Sequence, residues 1–353
     1  MEHRELGSSG VDVSTVGFGA WVVGTDWWGD RSHDQAVGMI EDALDAGVTF
    51  FDTGDVYGHG DSERIVGDAL AGRREEVTVS TKVGYDFYNN PQAGHGELPK
   101  RIDGEWIREA LSRSLDRLDM EYVDLLMLHN ADVDEVDADV LETLDELREE
   151  GRVEAVGWAL GPSIGWLAEG EAAVEAEFDA VQVVFNAFEQ TPGQHVIDAV
   201  RERDADTSLI ARVPHSSGLL NEQVTPETEL GEGDHRAHRP DEWYETGWEK
   251  VESLRFLERP EHGDGTRTMA QAAIQWLLAH DEVAAVTPTF RTGADIAEWA
   301  AAPDTPALSD DEYERVQDLY ERNFGVDRDD GMDSLRSSVG GEDLPSDVKS
   351  AGD

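Results

Sequence analysis

Cysteine is absent from the 353-residue chain. That excludes a disulfide framework and any thiolate metal site. Lysine is nearly absent, with only Lys82, Lys100, Lys250 and Lys349 present. All bases together number 28 against 78 acids, a formal charge of −50. The acids are spread along the chain instead of gathered in one tail, which reads as an acidic solvated surface. The same charge argues against nucleic acid as a partner, because its binding rests on cationic contacts to phosphate. Self-repulsion of this size calls for screening by salt, so the composition points to a high-salt, halophilic cytoplasm. Long apolar runs are also missing. No segment approaches a membrane span, and Met1–Leu6 lacks the apolar centre of a signal peptide. The expected location is the cytoplasm, without a membrane partner. Eleven histidines occur without His-Glu-x-x-His or a paired ligand spacing, so no metal site is expected.

What is present is a regular alternation. Short apolar runs end at Gly19, Asp52, Lys82, His129, Trp158, Phe185, Arg212 and Thr287. Helical patterns lie between them, near residues 32–46, 62–70, 103–118, 135–149, from about 163, 193–203 and 268–279. A hairpin turning at Ser8-Ser9-Gly10 precedes the first run. Two further helices, near 292–301 and 309–323, close the pattern. Alternation of this kind implies a parallel sheet. An open doubly wound sheet would carry G-x-G-x-x-G after its first strand. Gly17-Phe18-Gly19 is followed by Ala20-Trp21-Val22, and Gly58-His59-Gly60 has Glu63 at the third glycine position. Both read as turn glycines. The expected fold is therefore α/β, a (β/α)8 TIM barrel in one domain over 1–324, with an N-terminal hairpin and extra C-terminal helices. Residues 325–353, rich in Asp, Gly and Ser, are expected to be an acidic mobile tail. Loops at 20–33, 83–101 and 214–244 are expected to decide the substrate.

Polar groups gather at or just past three successive strand ends, where barrels place their chemistry. Asp52 ends one run, Tyr57 follows on its loop, Lys82 ends the next and His129 the third. A phenol beside a buried ammonium ionises more readily, and a carboxylate fixes that ammonium. A histidine across the site can orient a carbonyl oxygen. This set can deliver a proton to a carbonyl on which negative charge develops. No side chain supplies a hydride; a nicotinamide cofactor does. The rival of a glycosidase needs two carboxylates at suitable strand ends, and only Asp52 qualifies.

These pieces resemble the aldo-keto reductase family: Val16-Gly17-Phe18-Gly19, Phe51 through Gly58, Ser62-Glu63-Arg64, Ser80-Thr81-Lys82 and Leu128-His129. The resemblance runs from Arg4 to about Asn323. It implies a (β/α)8 barrel that reduces an aldehyde or ketone, or oxidises an alcohol, with NADP or NAD bound in extended form. It places the catalytic tetrad on Asp52, Tyr57, Lys82 and His129, with Tyr57 as proton donor. It places cofactor contacts on Gln182, Arg212, Pro214, Ser216, Gly218, Arg291 and Glu298. The family's Ser-Asn after the fifth strand is Ala159-Leu160 here, and Arg212 stands where a ring-stacking tyrosine is common. His215 replaces a usual leucine in the pyrophosphate loop. Arg291 favours NADP and Asp295 opposes its phosphate, leaving NADP slightly preferred. Trp27, Trp28, Tyr85, Phe87, Tyr88 and Trp158 are expected either to line an aromatic pocket or to pack on the rim. A binding or regulatory module of the same fold, with little turnover, is the alternative.

Overall fold

The computed structural model describes residues 1–25, 29, 31–90, 98–161, 166–231, 234, 236, 241–259 and 266–326. An antiparallel pair, β1 (His3–Glu5) and β2 (Asp12–Ser14), opens the chain. Eight strands follow, β3 (Phe18–Gly19), β4 (Phe50–Asp52), β5 (Thr78–Val83), β6 (Val123–His129), β7 (Val153–Ala159), β8 (Ala180–Val184), β9 (Ser208–Arg212) and β10 (Val283–Thr287). Each pairs in parallel with the next in chain order. The two ends of this sheet meet at a parallel bridge between Val16 and Val286. There Gly17 N donates to Val286 O at 2.8 Å, and Val286 N donates to Thr15 O at 2.9 Å. The result is the expected (β/α)8 barrel, nearly closed.

Helices lie between the strands and outside them. They are α1 (Trp21–Gly24), α2 (His33–Asp45), α3 (Asp61–Ala69), α4 (Gly104–Leu118), α5 (Ala138–Glu149), α6 (Leu167–Glu175), α7 (Gly193–Arg203), α8 (Asp241–Ser253), α9 (Met269–Leu278), α10 (Gly293–Ala300) and α11 (Asp310–Glu321). Their starts are chemically marked. Ser32, Thr268, Thr292 and Ser309 form reciprocal capping boxes with Gln35, Gln271, Asp295 and Glu312. Each cap satisfies backbone donors that the first turn leaves unpaired, typically worth about 1 kcal/mol.

Strand side chains alternate between two apolar layers. Outward residues such as Val79, Leu126 and Val181 meet the helices in one cluster. Inward residues Phe50, Leu125, Met127, Ala155, Ala180 and Ile210 form another, together with Leu6, Val11 and Val13 from the hairpin segment. The hairpin is tied there by Ser14 Oγ, which accepts from Thr49 N and Phe50 N, and by Thr78 Oγ1, which donates to Asp12 O. It fills the mouth at which the strands begin, and the carboxyl ends are left for a ligand.

Two expectations need correction. The apolar run expected to end at Gly19 as the first barrel strand, read from Ser14 onward, pairs regularly only from Phe18, because Ser14 belongs to the hairpin. The loop expected to reach Tyr244 is cut short by a helix that begins at Asp241 and that the sequence pattern hid. Residues 243, 246, 247, 250 and 251 of α8 face inward at helical spacing, but they are Trp, Thr, Gly, Lys and Val. Only two of the five register as apolar. Of the expected tail, all but Gly325 and Val326 lies outside the described residues.

Candidate active site

Alternation along neighbouring strands aims one row of side chains at the barrel axis. On β5 this row includes Ser80 and Lys82, on β6 it ends at His129, and on β8 it includes Gln182. Register sets the heights, with Asp52 beside Ser80, His129 beside Ala159 and Ala159 beside Gln182. The Lys82 ammonium is fully buried and donates to Asp52 Oδ1 at 2.7 Å, Asp52 Oδ2 at 2.8 Å and the Thr53 carbonyl at 2.7 Å. Three N–H groups thus meet three acceptors. Asp52 also receives Ser80 Oγ at 2.7 Å and Gln182 Nε2 at 3.0 Å. A carboxylate so fully engaged is a fixed counter-charge, which removes the one acid a glycosidase reading had.

Tyr57 arrives from outside the strands. It opens the tight turn Tyr57–Gly60, in which Gly58, His59 and Gly60 all have positive φ. A Cβ on Gly58 would lie 1.8 Å from Gly24 O, and one on Gly60 would lie 2.5 Å from Arg117 Cδ. Only glycine lets the chain pass both places. The turn sets the Tyr57 ring 5.0 Å from the Lys82 nitrogen and edge-on to His129, with centroids 5.7 Å apart. The sequence-derived tetrad is therefore gathered in one place.

Contacts behind these residues, not legible in advance, hold this geometry. Glu63 is fully buried in the first turn of α3. Its Oε1 accepts from Thr81 Oγ1 at 2.5 Å and its Oε2 from Arg117 Nε at 2.6 Å. Ser62 accepts from Thr53 Oγ1 and donates to Ala20 O, both at 2.8 Å. The start of α3 thereby grips the neighbours of both Asp52 and Lys82. Asp55 is buried alongside. Burial, then the charge of Glu63, pushes its carboxyl well above the usual range.

The expected cofactor residues fall in two groups. At the inner group, Arg212 donates through Nη2 to Leu160 O at 2.9 Å and Gly161 O at 2.8 Å. Burial lowers its pKa, opposed by the nearby Tyr57 and Asp52. The carbonyls of the segment that lacks the family's Ser-Asn are thus held by a guanidinium. At the outer group, the chain from Val213 to Gly218 is strongly curled, with positive φ at Val213, Ser216, Ser217 and Gly218. Asn186 Nδ2 donates to Val213 O at 2.9 Å, and Ser216 Oγ donates to buried Glu189 at 3.2 Å. Within the curl Ser216 N donates to Val213 O, Gly218 N and Leu220 N to His215 O, and Leu219 N to Ser216 O, so these N–H groups hold the curl itself. Pro214, Ser216 and Gly218 are all buried in it.

Arg291 lies beyond this curl, its pKa lowered by burial and by the neighbouring charges of Arg236 and Arg31. Three guanidinium groups thus lie near one another here, with the carboxylates of Asp295 and of Asp234, the latter paired to Arg236. Sequence gave no sign of Arg31 or Arg236, which come from distant loops. Asp295, expected to repel a phosphate, accepts from Arg291 N at 2.9 Å, Thr292 N at 3.0 Å and Gln223 Nε2 at 3.1 Å. Its carboxylate caps the start of α10, and its charge still acts on Arg291. Glu298 accepts from Thr268 Oγ1 at 2.6 Å, linking α10 to α9.

Of the two roles expected for the aromatic residues, most of the described ones take the packing role. Trp158 is core, with its ring on Phe178 and its Nε1 donating to Ala131 O. Phe87 packs on Val56 and Leu98, and Tyr88 packs on Phe87 and Trp106. Trp27 and Trp28 lie outside the described residues. Tyr85 does reach His129, and Trp21 reaches Tyr57.

Comparison with known proteins places the arrangement. A family model described as Aldo/keto reductase family matches residues 15–321. Aldo-keto reductase YhdN of Bacillus subtilis (strain 168) is 28% identical over 303 residues, 85% of either chain. The NADH-specific methylglyoxal reductase of Escherichia coli (strain K12) is 30% identical over 239 residues, 64% of this chain and 71% of the relative. The holo form of aldo-keto reductase AKR11C1 from Bacillus halodurans aligns with a TM-score of 0.72 at 25% identity, covering 90% of this chain and 96% of that one. The match spans the whole barrel, from the bridge that closes it to its last helix, and so the chain belongs to the aldo/keto reductase family.

Proposed function

We propose that the protein is an NAD(P)-dependent oxidoreductase that reduces an aldehyde or ketone, with Tyr57 as the proton donor. The observation that carries this is the Lys82 ammonium, 5.0 Å from the Tyr57 ring, with all its hydrogen bonds committed to Asp52 and Thr53. It cannot swing away, so it acts on the phenol as a fixed positive charge. His129, edge-on to Tyr57, orients the carbonyl oxygen.

The residues present fit a dinucleotide at its phosphate end. Pro214, Ser216 and Gly218, on the curl after β9, are the residues that would hold the pyrophosphate, as the family resemblance implies. Arg291, with Arg236 and Arg31 nearby, suits a ribose phosphate, while Asp295 is turned to the first turn of α10 and Asp234 pairs with Arg236. This supports a slight preference for NADP over NAD. Gln182 and Arg212 remain for the nicotinamide end, and Glu298 for the adenosine end. When bound, the reduced nicotinamide supplies a hydride to the carbonyl carbon and is oxidised. The pair displaced from the C=O bond moves to oxygen, and that oxygen takes the proton of Tyr57 Oη. An aldehyde or ketone becomes an alcohol, and the reverse reaction uses the same groups.

Tyr57→Phe keeps the ring and removes the proton. Turnover should fall by at least about a thousandfold, in line with loss of a general acid. NADPH affinity, read by tryptophan fluorescence in molar KCl, should stay within a few-fold. Near wild-type rates in this variant would refute the assignment. The alternative of a binding module draws on Arg212, which fastens the segment where the family's polar pair is missing. Measurable wild-type turnover removes it.

A further inference from the structure

Resting on the cofactor use proposed above, we infer that Arg212 makes the site discriminate between the two redox states of its nicotinamide, holding the reduced, uncharged ring and rejecting the oxidised, cationic one. Arg212 ends β9. Ile210, two residues earlier, belongs to the inward apolar layer, so Arg212 continues that row toward the axis at the carboxyl mouth. Ile210 lies beside Gln182 of β8, and Gln182 Nε2 donates to Asp52 at 3.0 Å. The guanidinium does not stay on its own strand. Through Nη2 it donates to Leu160 O and Gly161 O, on the chain leaving β7. Strand β8 runs between β7 and β9, so the charge is drawn across the carboxyl end of β8, above Gln182.

No anion answers this charge at close range. Among the described residues no carboxylate lies within ion-pair distance of Arg212. Burial lowers its pKa, and its charge acts on Tyr57 first, then on Asp52, Tyr85 and Glu189. Asp52 is already matched by Lys82, and buried Glu189 accepts from Asn186 and Ser216. A guanidinium keeps its proton in such surroundings. With Lys82 and Asp52 cancelling, Arg212 leaves an excess positive charge beside Tyr57.

That excess acts differently at different stages. A ring that delivers hydride to a carbonyl held by Tyr57 and His129 must lie in the mouth that Arg212 enters. While uncharged, it meets no repulsion there. After losing the hydride it carries a positive charge, and two like charges then share a partly dry site. Arg212 does not oppose the transfer itself. Tyr57 has by then given its proton to the product oxygen, and the guanidinium favours the phenolate left behind. Repulsion appears when Tyr57 recovers a proton from solvent. Arg212 thus promotes departure of the oxidised cofactor and clears the site for the reduced one. The tyrosine common at this position in the family carries no such charge.

The test is equilibrium binding at pH 7 in molar KCl, read by tryptophan fluorescence, with NADPH, NADP+, NADH and NAD+ and without substrate. Wild type should show a Kd for the oxidised form at least about tenfold above that for the reduced form of the same dinucleotide, as repulsion between two close unit charges gives. Arg212→Met and Arg212→Gln remove the charge, and each should bring that ratio to within about threefold of unity. Arg212→Lys keeps the charge without the planar fork, and should keep most of the ratio. A ratio is unaffected by any general loss of affinity that a weaker tie to Leu160 and Gly161 brings. A wild-type ratio near one overturns the inference and leaves the reductase standing. An undiminished ratio in the neutral variants overturns the assignment to Arg212. A ratio lost as fully in Arg212→Lys overturns the role of charge and leaves the tie to residues 160–161 as the cause. Folded wild-type protein that binds none of the four dinucleotides overturns the proposed cofactor use as well.

Discussion

Glu63 meets two demands with one carboxylate. It anchors Thr81, the neighbour of Lys82, and it neutralises Arg117, which is itself largely buried. Breaking such a pair from one side strands a charge in the interior, at a cost of about 3–5 kcal/mol. Glu63→Gln should lose stability on that scale in chemical denaturation, and so should Arg117→Met. The double variant should lose clearly less than the sum, because neither charge is then left alone. Additive losses would show that the two side chains act independently. The catalytic four were legible because each is a distinctive residue at a strand end or on the loop that follows. Glu63, Thr81 and Arg117 were not, because their partnership spans three elements far apart in sequence. Tyr85 was visible only as one aromatic among several, and its contacts with His129 and Asn130 come from a strand distant in sequence.

At the level of the element, the curl after β9 depends on His215. Its ring is buried against Trp299, centroids 4.3 Å apart, and Nε2 lies 3.2 Å from Ala270 O at the start of α9. Burial lowers its pKa from 6.5 to about 4. The folded form therefore holds fewer protons than the unfolded chain between those values, and stability falls as pH drops from about 6.5 to 4. The loss amounts to roughly 3 kcal/mol across that window. His215→Leu should flatten the pH dependence of unfolding by about this amount, compared at pH 7 and pH 4. An unchanged slope would mean the ring takes up its proton in place. The strands themselves were legible to within a few residues, because burial on both faces makes them plain apolar runs. Helix α8 was not, since Thr246, Gly247 and Lys250 occupy inward positions that hydrophobic periodicity does not recognise.

For the whole molecule, charge is the dominant global quantity. Arginine-centred clusters such as Arg108 with Glu146 and Glu150, or Arg255 with Glu222, Glu252 and Glu258, tie parts of the surface together. Each exposed pair is worth at most about 1 kcal/mol and weakens in salt. Yet 28 bases cannot pair 78 acids, and the formal excess is 50. Screening that excess should outweigh the lost pairs as the Debye length shrinks from about 10 Å at 0.1 M to about 3 Å at 1 M. The thermal midpoint should rise by roughly 10 °C or more between 0.1 and 2 M KCl, as a gain of several kcal/mol implies. A midpoint that falls with salt would show that the pairs prevail over the repulsion. The same composition has a practical side at the lysines. Lys82 and Lys250 are buried, and Lys100 is clamped by Asp132 and Glu135. Among the described residues, dyes, cross-linkers and solid supports that couple through lysine amines would find little to hold, whereas carbodiimide coupling has carboxylates to use over much of the surface.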